Sequence, residues 1–97
     1  MIIVLAEITF KENITDEIIT ESEKLIEASL KEEGCIDYKV YNPLGKDSSF
    51  LFVEKWESKY FLETHLKQPH FIDFHKVIGD SMDKIKISAY SSEEIEL

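Results

Sequence analysis

Residues 50–78 read FLFVEKWESKYFLETHLKQPHFIDFHKVI, and this stretch decides the fold of the chain. Its first eight residues, 50–57, alternate with a period of two, which is typical of a β-strand with two different faces. The residues that share one face of this strand are Phe50, Phe52, Glu54 and Trp56. The remainder carries all three histidines on predicted helical segments, which Pro69 separates, so the three imidazoles cannot lie on one straight helix. The stretch therefore predicts a strand followed by a broken helix.

The composition predicts one globular domain over residues 1–97. Hydrophobic residues make up 43% of the chain and aromatic residues 11%, while no apolar run approaches the roughly 20 residues needed to cross a bilayer. The chain begins without a basic leader or a small-residue cleavage site, and its lone Cys35 can form no internal disulfide. These features predict a cytoplasmic protein with no membrane association.

The charge of the chain argues against nucleic acid as a partner. Twenty acidic residues stand against 11 basic ones, which gives a formal net charge of -9, and the chain contains no arginine. A nucleic-acid-binding surface needs a cluster of basic groups to neutralise phosphates. No glycine-rich phosphate loop is present either, so nucleotide and flavin cofactors are not expected.

The rest of the chain supplies three more strands and one long helix. Residues 1–10 predict a central strand, residues 35–41 a second strand that pairs with residues 50–57, and residues 84–90 the fourth. Between the first two strands, Thr15 is a good N-cap of a helix. The apolar stripe expected on that helix comprises Ile18, Ile19, Leu25, Ile26 and Leu30. Residues 91–97 form an acidic tail that is expected to be loose or to reach a partner subunit.

The order of elements is β-α-β-β-α-β, which predicts an α+β ferredoxin-like sandwich with a four-stranded antiparallel sheet. In this fold the helices cover one face of the sheet only. The first three strands carry apolar or aromatic residues on both faces, so the uncovered face would be a binding surface. We therefore expect a homodimer that forms through the open sheet face.

Three segments of the chain resemble a known family. They are EGCIDY at residues 33–38, FVEKWES at residues 52–58 and HLKQPHF at residues 65–71. In this order they resemble the antibiotic biosynthesis monooxygenase (ABM) domains, and the resemblance covers nearly the whole chain. It implies a dimeric α/β barrel built from ferredoxin-like subunits.

The resemblance implies several activities, because the family includes cofactor-free oxygenases of quinols and phenols, haem-degrading oxygenases, an isomerase and domains of unknown activity. His75 stands at a position comparable to that of the iron ligand in the haem-degrading members. Strand one offers no Asn, however, and His65 stands about where those members have a Trp. Haem degradation is therefore disfavoured, and the resemblance favours a cofactor-independent monooxygenase that oxidises a small, quinol-like aromatic.

Such an oxygenase needs an apolar pocket and a base that removes a phenolic proton from the substrate. The expected base is His65, and Glu54 is expected to orient its ring or to serve as the base itself. The expected substrate pocket consists of Tyr38, Phe52, Trp56, Phe71, Phe74 and His75. His70 is expected to lie outside the site.

Other interpretations of these residues remain open. The same His65 and Glu54 suit an isomerase or another proton-transfer enzyme acting on a small carbonyl compound, and the domain could also bind a ligand without catalysis. The aromatic stripe could simply be core. A metal site formed by His65, His75 and Glu54 is disfavoured because Pro69 separates the two histidines, so neither a metal nor a cofactor is expected.

Overall fold

The computed structural model describes residues 1–97 and contains four strands and three α-helices. The strands are Ile2–Phe10 (β1), Cys35–Tyr41 (β2), Ser49–Trp56 (β3) and Met82–Ser91 (β4). The helices are Asp16–Leu30 (α1), Lys59–His65 (α2) and Pro69–Ile78 (α3), and a 3₁₀ turn at Gly79–Ser81 leads into β4. The predicted order and the break of the second helix at Pro69 are both confirmed.

The sheet has the order β2-β3-β1-β4, and all neighbouring strands are antiparallel. This is the ferredoxin-like arrangement, with β1 in the interior and β2 and β3 paired as a hairpin. The register places Val4 of β1 and Tyr38 of β2 on either side of Glu54 in β3. Glu54 therefore occupies the middle of a three-strand row.

Helix α1 begins as predicted, because the Thr15 side chain accepts a hydrogen bond of 3.2 Å from the Ile18 backbone N–H. Its buried stripe differs from the expected one. The residues that this helix buries are Ile18, Ser22, Leu25 and Ser29, at spacings of four, three and four. Ile19 and Leu30 were expected in this stripe but are 43% and 48% exposed, because they lie off that line.

The core lies between the helices and one face of the sheet. Along β1 and β3, alternate residues point into it, and in β3 these are Phe50, Phe52, Glu54 and Trp56, as the period of two predicts. Cys35 is only partly buried and packs against the edge of this core.

The helices leave two parts of the sheet uncovered. The opposite face of the sheet has no helix on it, and the half-buried residues there include Ile3, Leu5 and Val53. On the helical face, β4 extends beyond the helices, so that Ile85 and Ile87 are 43% and 55% exposed. No helix of the protein combines the length and apolar character that crossing a membrane requires.

The turn between α1 and β2 depends on Gly34. Its φ of +82° lies in the left-handed region that favours glycine, and an added Cβ would lie 2.1 Å from the Phe61 ring. Gly45 has a similar φ of +77°, but an added Cβ there meets nothing within 4 Å.

The two glycines allow a matched test of this packing. Gly34→Ala should lower the free energy of unfolding by about 3 kcal/mol, because it adds a steric clash to backbone strain, while Gly45→Ala should cost about 1 kcal/mol from strain alone. Urea denaturation of both variants measures the difference. Equal losses of unfolding free energy in the two variants would contradict the predicted steric clash at residue 34.

Candidate functional site

A cavity of about 230 Å³ lies between the sheet and the helices α2 and α3. Thirteen of its 15 lining residues are hydrophobic, and the two exceptions are Glu54 and His75. The hydrophobic lining residues are Val4, Ala6, Ile8, Leu25, Tyr38, Phe52, Leu62, Leu66, Phe71, Phe74, Ile85, Ile87 and Ala89. The cavity is therefore an apolar space with one carboxyl group and one imidazole in its wall.

Six of the eight residues predicted for the site line this cavity. They are Tyr38, Phe52, Glu54, Phe71, Phe74 and His75. The other two, His65 and Trp56, are both 0% exposed and do not belong to the cavity wall. The two rings pack on each other with their centroids 4.6 Å apart, so each covers the other.

Glu54 is 5% exposed and carries the only carboxyl group of the cavity. Trp56 Nε1–H donates a 3.0 Å hydrogen bond to Glu54 Oε1, and this bond and the neighbouring Tyr38 hydroxyl both favour the charged carboxylate. Burial outweighs both effects and raises the pKa of Glu54 to about 7. The group is therefore suited to exchange a proton near neutral pH.

His65 lies behind the cavity wall and contacts two ionisable groups. Its Nδ1 is 2.5 Å from Glu32 Oε2, and its Nε2 is 3.4 Å from the Tyr38 hydroxyl. Burial lowers the pKa of His65, although the neighbouring Glu32 carboxylate acts in the opposite direction. A neutral His65 donates its Nδ1–H to Glu32, which leaves Nε2 free to accept the Tyr38 O–H.

Sequence reasoning missed Glu32. It follows α1 in the chain and resembles the surrounding surface glutamates in sequence, so no local pattern marks it. Its Oε2 nevertheless contacts His65 Nδ1 and also lies 2.8 Å from His70 Nε2, which brings His70 into the network as well. Only the long-range packing of α2 and α3 against the end of α1 places these groups together.

His75 faces the cavity in a defined tautomer. Its Nδ1 is 3.0 Å from the Phe71 backbone carbonyl oxygen, so Nδ1 carries the proton and donates it. The Nε2 atom is then an acceptor. Because His75 lines the cavity, it offers a second polar contact to a bound molecule.

One group of residues combines metal-binding ligand types. Glu32, His65 and His70 each offer a ligand atom, and these atoms lie within 4.8 Å of one another. The oxygen-to-nitrogen distances of 2.5 and 2.8 Å are hydrogen-bond distances. Ligands bound tetrahedrally to zinc at about 2.0–2.1 Å lie farther apart, at roughly 3.3 Å. In this arrangement the three side chains form a hydrogen-bonded triad.

Cys35 does not contribute a reactive group to the site. Burial, followed by the nearby Glu32, Glu54 and Asp37 carboxylates, raises the pKa of its thiol to about 11. A thiol with such a pKa stays protonated at neutral pH and is a poor nucleophile.

The raised pKa of Glu54 predicts a specific dependence of stability on pH. The ordinary pKa of 4.5 applies to the unfolded chain, so the folded protein binds the additional proton between pH 4.5 and about 7. The free energy of unfolding should therefore fall as pH rises through this window. The Glu54→Gln variant resembles the protonated group. Relative to this variant, the wild type should lose about 3 kcal/mol of unfolding free energy as pH rises through the window.

Urea denaturation from about pH 4 to about pH 8 measures this loss, with exposed Glu57→Gln as the control. The control should follow the wild type at every pH. If the free energies of unfolding of the wild type and Glu54→Gln differed by the same amount at every pH, the assigned pKa would be contradicted.

Comparisons with known proteins agree with this architecture. Residues 1–77 match the family described as "Antibiotic biosynthesis monooxygenase". The Synechocystis protein sll1783, which is uncharacterised, is 36% identical over 83 residues; the match covers 86% of this chain but 56% of that protein. The Escherichia coli protein named "Probable quinol monooxygenase YgiN" is 29% identical, with 86% of this chain and 90% of that protein covered.

A solved structure agrees over almost the whole chain. A conserved protein from Methanosarcina mazei superposes with a TM-score of 0.87 at 32% sequence identity, and the match covers 95% of this chain and 92% of the other. The family match extends over most of the chain and includes the strands and helices that line the cavity, apart from β4 and the last residue of α3. The protein therefore belongs to the antibiotic biosynthesis monooxygenase family.

Proposed function

We propose that the protein is a cofactor-independent monooxygenase that oxidises a small, quinol-like aromatic in the apolar cavity. The observation that carries this proposal is the position of Glu54, a buried carboxyl group with a pKa of about 7 in a wall of otherwise almost entirely apolar residues. A base of this kind can remove a phenolic proton near neutral pH. The name of the E. coli relative as a quinol monooxygenase supports the substrate class.

The size and lining of the cavity favour a small ring compound. Its volume of about 230 Å³ lies below the roughly 300–1,000 Å³ of most ligand pockets. Phe52, Phe71 and Phe74 provide aromatic surface against which a flat ring can pack. Molecular oxygen is itself apolar, so its transfer from water into such a space is favourable.

Two polar groups can orient the two hydroxyls of a quinol. Glu54 accepts the proton of one hydroxyl, and His75 Nε2 accepts a hydrogen bond from the other. His65 does not touch the substrate in this scheme. It acts instead as a positioning residue, because its Nε2 accepts the hydroxyl of Tyr38, which lies beside Glu54.

The overall reaction balances without an external reductant. A quinol and dioxygen give a hydroxyquinone and water, so the substrate itself supplies the electrons. Glu54 removes a phenolic proton, the resulting anion transfers one electron to dioxygen, and the two radicals combine to a peroxide anion on a ring carbon. This peroxide takes the proton back from Glu54 and becomes a hydroperoxide. The O–O bond and the C–H bond of the same ring carbon then break, one oxygen stays on the ring as a carbonyl, and the other leaves as water with the hydrogen from that carbon.

An isomerase would use the same carboxyl group without consuming oxygen, and a ligand-binding domain would use the cavity without turnover. Oxygen consumption separates the three functions. In an oxygen electrode with a panel of small hydroquinones, the wild type should consume dioxygen, and Glu54→Gln should lower the rate by about 100-fold because the base is lost.

Exposed Glu57→Gln provides the matched control and should retain the wild-type rate. When isotopically labelled dioxygen is supplied, mass spectrometry of the product should find one labelled oxygen atom attached to the ring. The proposal would be abandoned if no hydroquinone raised oxygen consumption above that of Glu54→Gln protein.

The proposed enzyme is a homodimer formed through the open sheet face. This face carries Ile3 and Leu5 of β1, and Leu5 lies directly opposite Val53 of β3. The three side chains are only half buried within the chain, although they are apolar. A second copy packed on this face would remove them from water, which is favourable at roughly 25 cal/mol per Å².

Replacement of Val53 by Lys tests the dimer. Sedimentation at micromolar concentration should give about twice the subunit mass of 11.3 kDa for the wild type and the subunit mass for Val53→Lys, because the new charge would be buried. Ile19→Lys adds the same charge at an exposed position on the helical side and should leave the dimer intact. A monomeric wild type would contradict the proposed assembly.

A further inference from the structure

We propose that Tyr38, His65, Glu32 and His70 form a proton relay that connects Glu54 in the cavity with solvent on the helical side of the molecule. The proposal extends the proposed function, on which its catalytic consequence rests. The path itself is a property of the folded protein and can be tested without turnover.

Each link of the relay pairs a donor with an acceptor. Tyr38 lies opposite Glu54 in the β2–β3 ladder, and both side chains line the same cavity as neighbours. The Tyr38 hydroxyl is 3.4 Å from His65 Nε2, which is the longest link. His65 Nδ1 is 2.5 Å from Glu32 Oε2, and the same oxygen lies 2.8 Å from His70 Nε2.

The two ends of the relay open into different spaces. Glu54 and Tyr38 line the apolar cavity, whereas Glu32 lines a separate polar cleft beside Thr64 and Gln68. His70 is 24% exposed at its side chain and lines a further surface depression. His65 lines none of these spaces and is 0% exposed, so it bridges the inner and outer groups.

A proton moves along this path by successive hops. The Glu54 O–H bond breaks as an O–H bond forms on Tyr38, whose own proton moves to His65 Nε2. His65 Nδ1–H then transfers its proton to Glu32, from which it reaches solvent directly or through His70. Glu54 ends ionised and His65 stays neutral with its proton on Nε2. The reverse sequence restores every bond.

The apolar cavity gives this path a purpose. A bound ring would displace water from the neighbourhood of Glu54, so the carboxyl group could not exchange its proton through the cavity. The relay would adjust the ionisation of Glu54 while the substrate is bound. Burial raises the pKa of Tyr38 well above its usual value, so Tyr38 passes its proton on only as it receives another.

Nuclear magnetic resonance tests the path without turnover. With ¹³C-labelled glutamate and ¹⁵N-labelled histidine, the His65 nitrogens should shift with the same midpoint as the Glu54 carboxyl carbon. Tyr38→Phe removes the bridging proton but keeps the ring. In this variant Glu54 should still titrate, while the change in the His65 nitrogen chemical shifts at that midpoint should fall below about half of its wild-type size. The ionisable groups around the path, whose signals must be assigned separately, are Cys35, Asp37, His70 and His75.

Turnover provides the second measurement. Glu32→Gln should lower kcat for hydroquinone oxidation by about 10-fold with KM changed less than about 2-fold, and added imidazole should restore part of the rate. Glu33→Gln changes the adjacent, exposed carboxyl group and should leave both constants unaltered.

Three results would overturn the relay. The first is a pH midpoint of the His65 nitrogen signals that differs from the midpoint of the Glu54 carboxyl carbon. The second is an active Glu32→Gln enzyme with unchanged kcat. The third is the appearance of visible absorption bands on addition of Co²⁺ that disappear in His70→Asn, since the triad would then be a metal site. If no hydroquinone is oxidised by the wild type, the proposed function fails while the resonance experiment still decides the relay.

Discussion

The buried carboxyl group of Glu54 is the constraint on which the site depends. A charged group in an apolar core is costly, and the protein tolerates it through a hydrogen bond from Trp56, the neighbouring Tyr38 and a pKa raised to about 7. Glu54 remains buried only while these partners hold their positions. The strand ladder provides this rigidity, because Tyr38 is fixed opposite Glu54 and Trp56 follows it on the same strand face.

The helical layer completes the arrangement by placing His65 behind the sheet. Helix α2 ends at this residue and α3 begins at Pro69, so the chain changes direction within four residues. The break brings His65 over Trp56 and also brings His70 near the same Glu32 carboxylate. One continuous helix would have separated the two imidazoles from the end of α1, and the polar network would not have formed.

The sequence predicted the elements well because they depend on local patterns. The period of two in residues 50–57 identified the buried face of β3, including Glu54, and Pro69 marked the break between α2 and α3. Which side chains reach the cavity was less predictable. His65 and Trp56 stack on each other and so leave the wall, whereas Leu62, Leu66 and Ile85 enter it from elements that nothing in the local pattern connects. Glu32 escaped prediction for the same reason, since its partners lie more than 30 residues away in the chain.

The charge of the protein bears on how the proposed oxidation would proceed. The chain carries a net charge of -9, and no lysine lines the cavity. A phenolate from solvent would be repelled, so the substrate would enter neutral and lose its proton only after binding. The anion formed there would have no cation beside it and little water around it, which raises its energy. An anion held in this way gives up an electron to dioxygen more readily than the same anion in water, and the cavity therefore favours the electron transfer on which the proposed reaction depends.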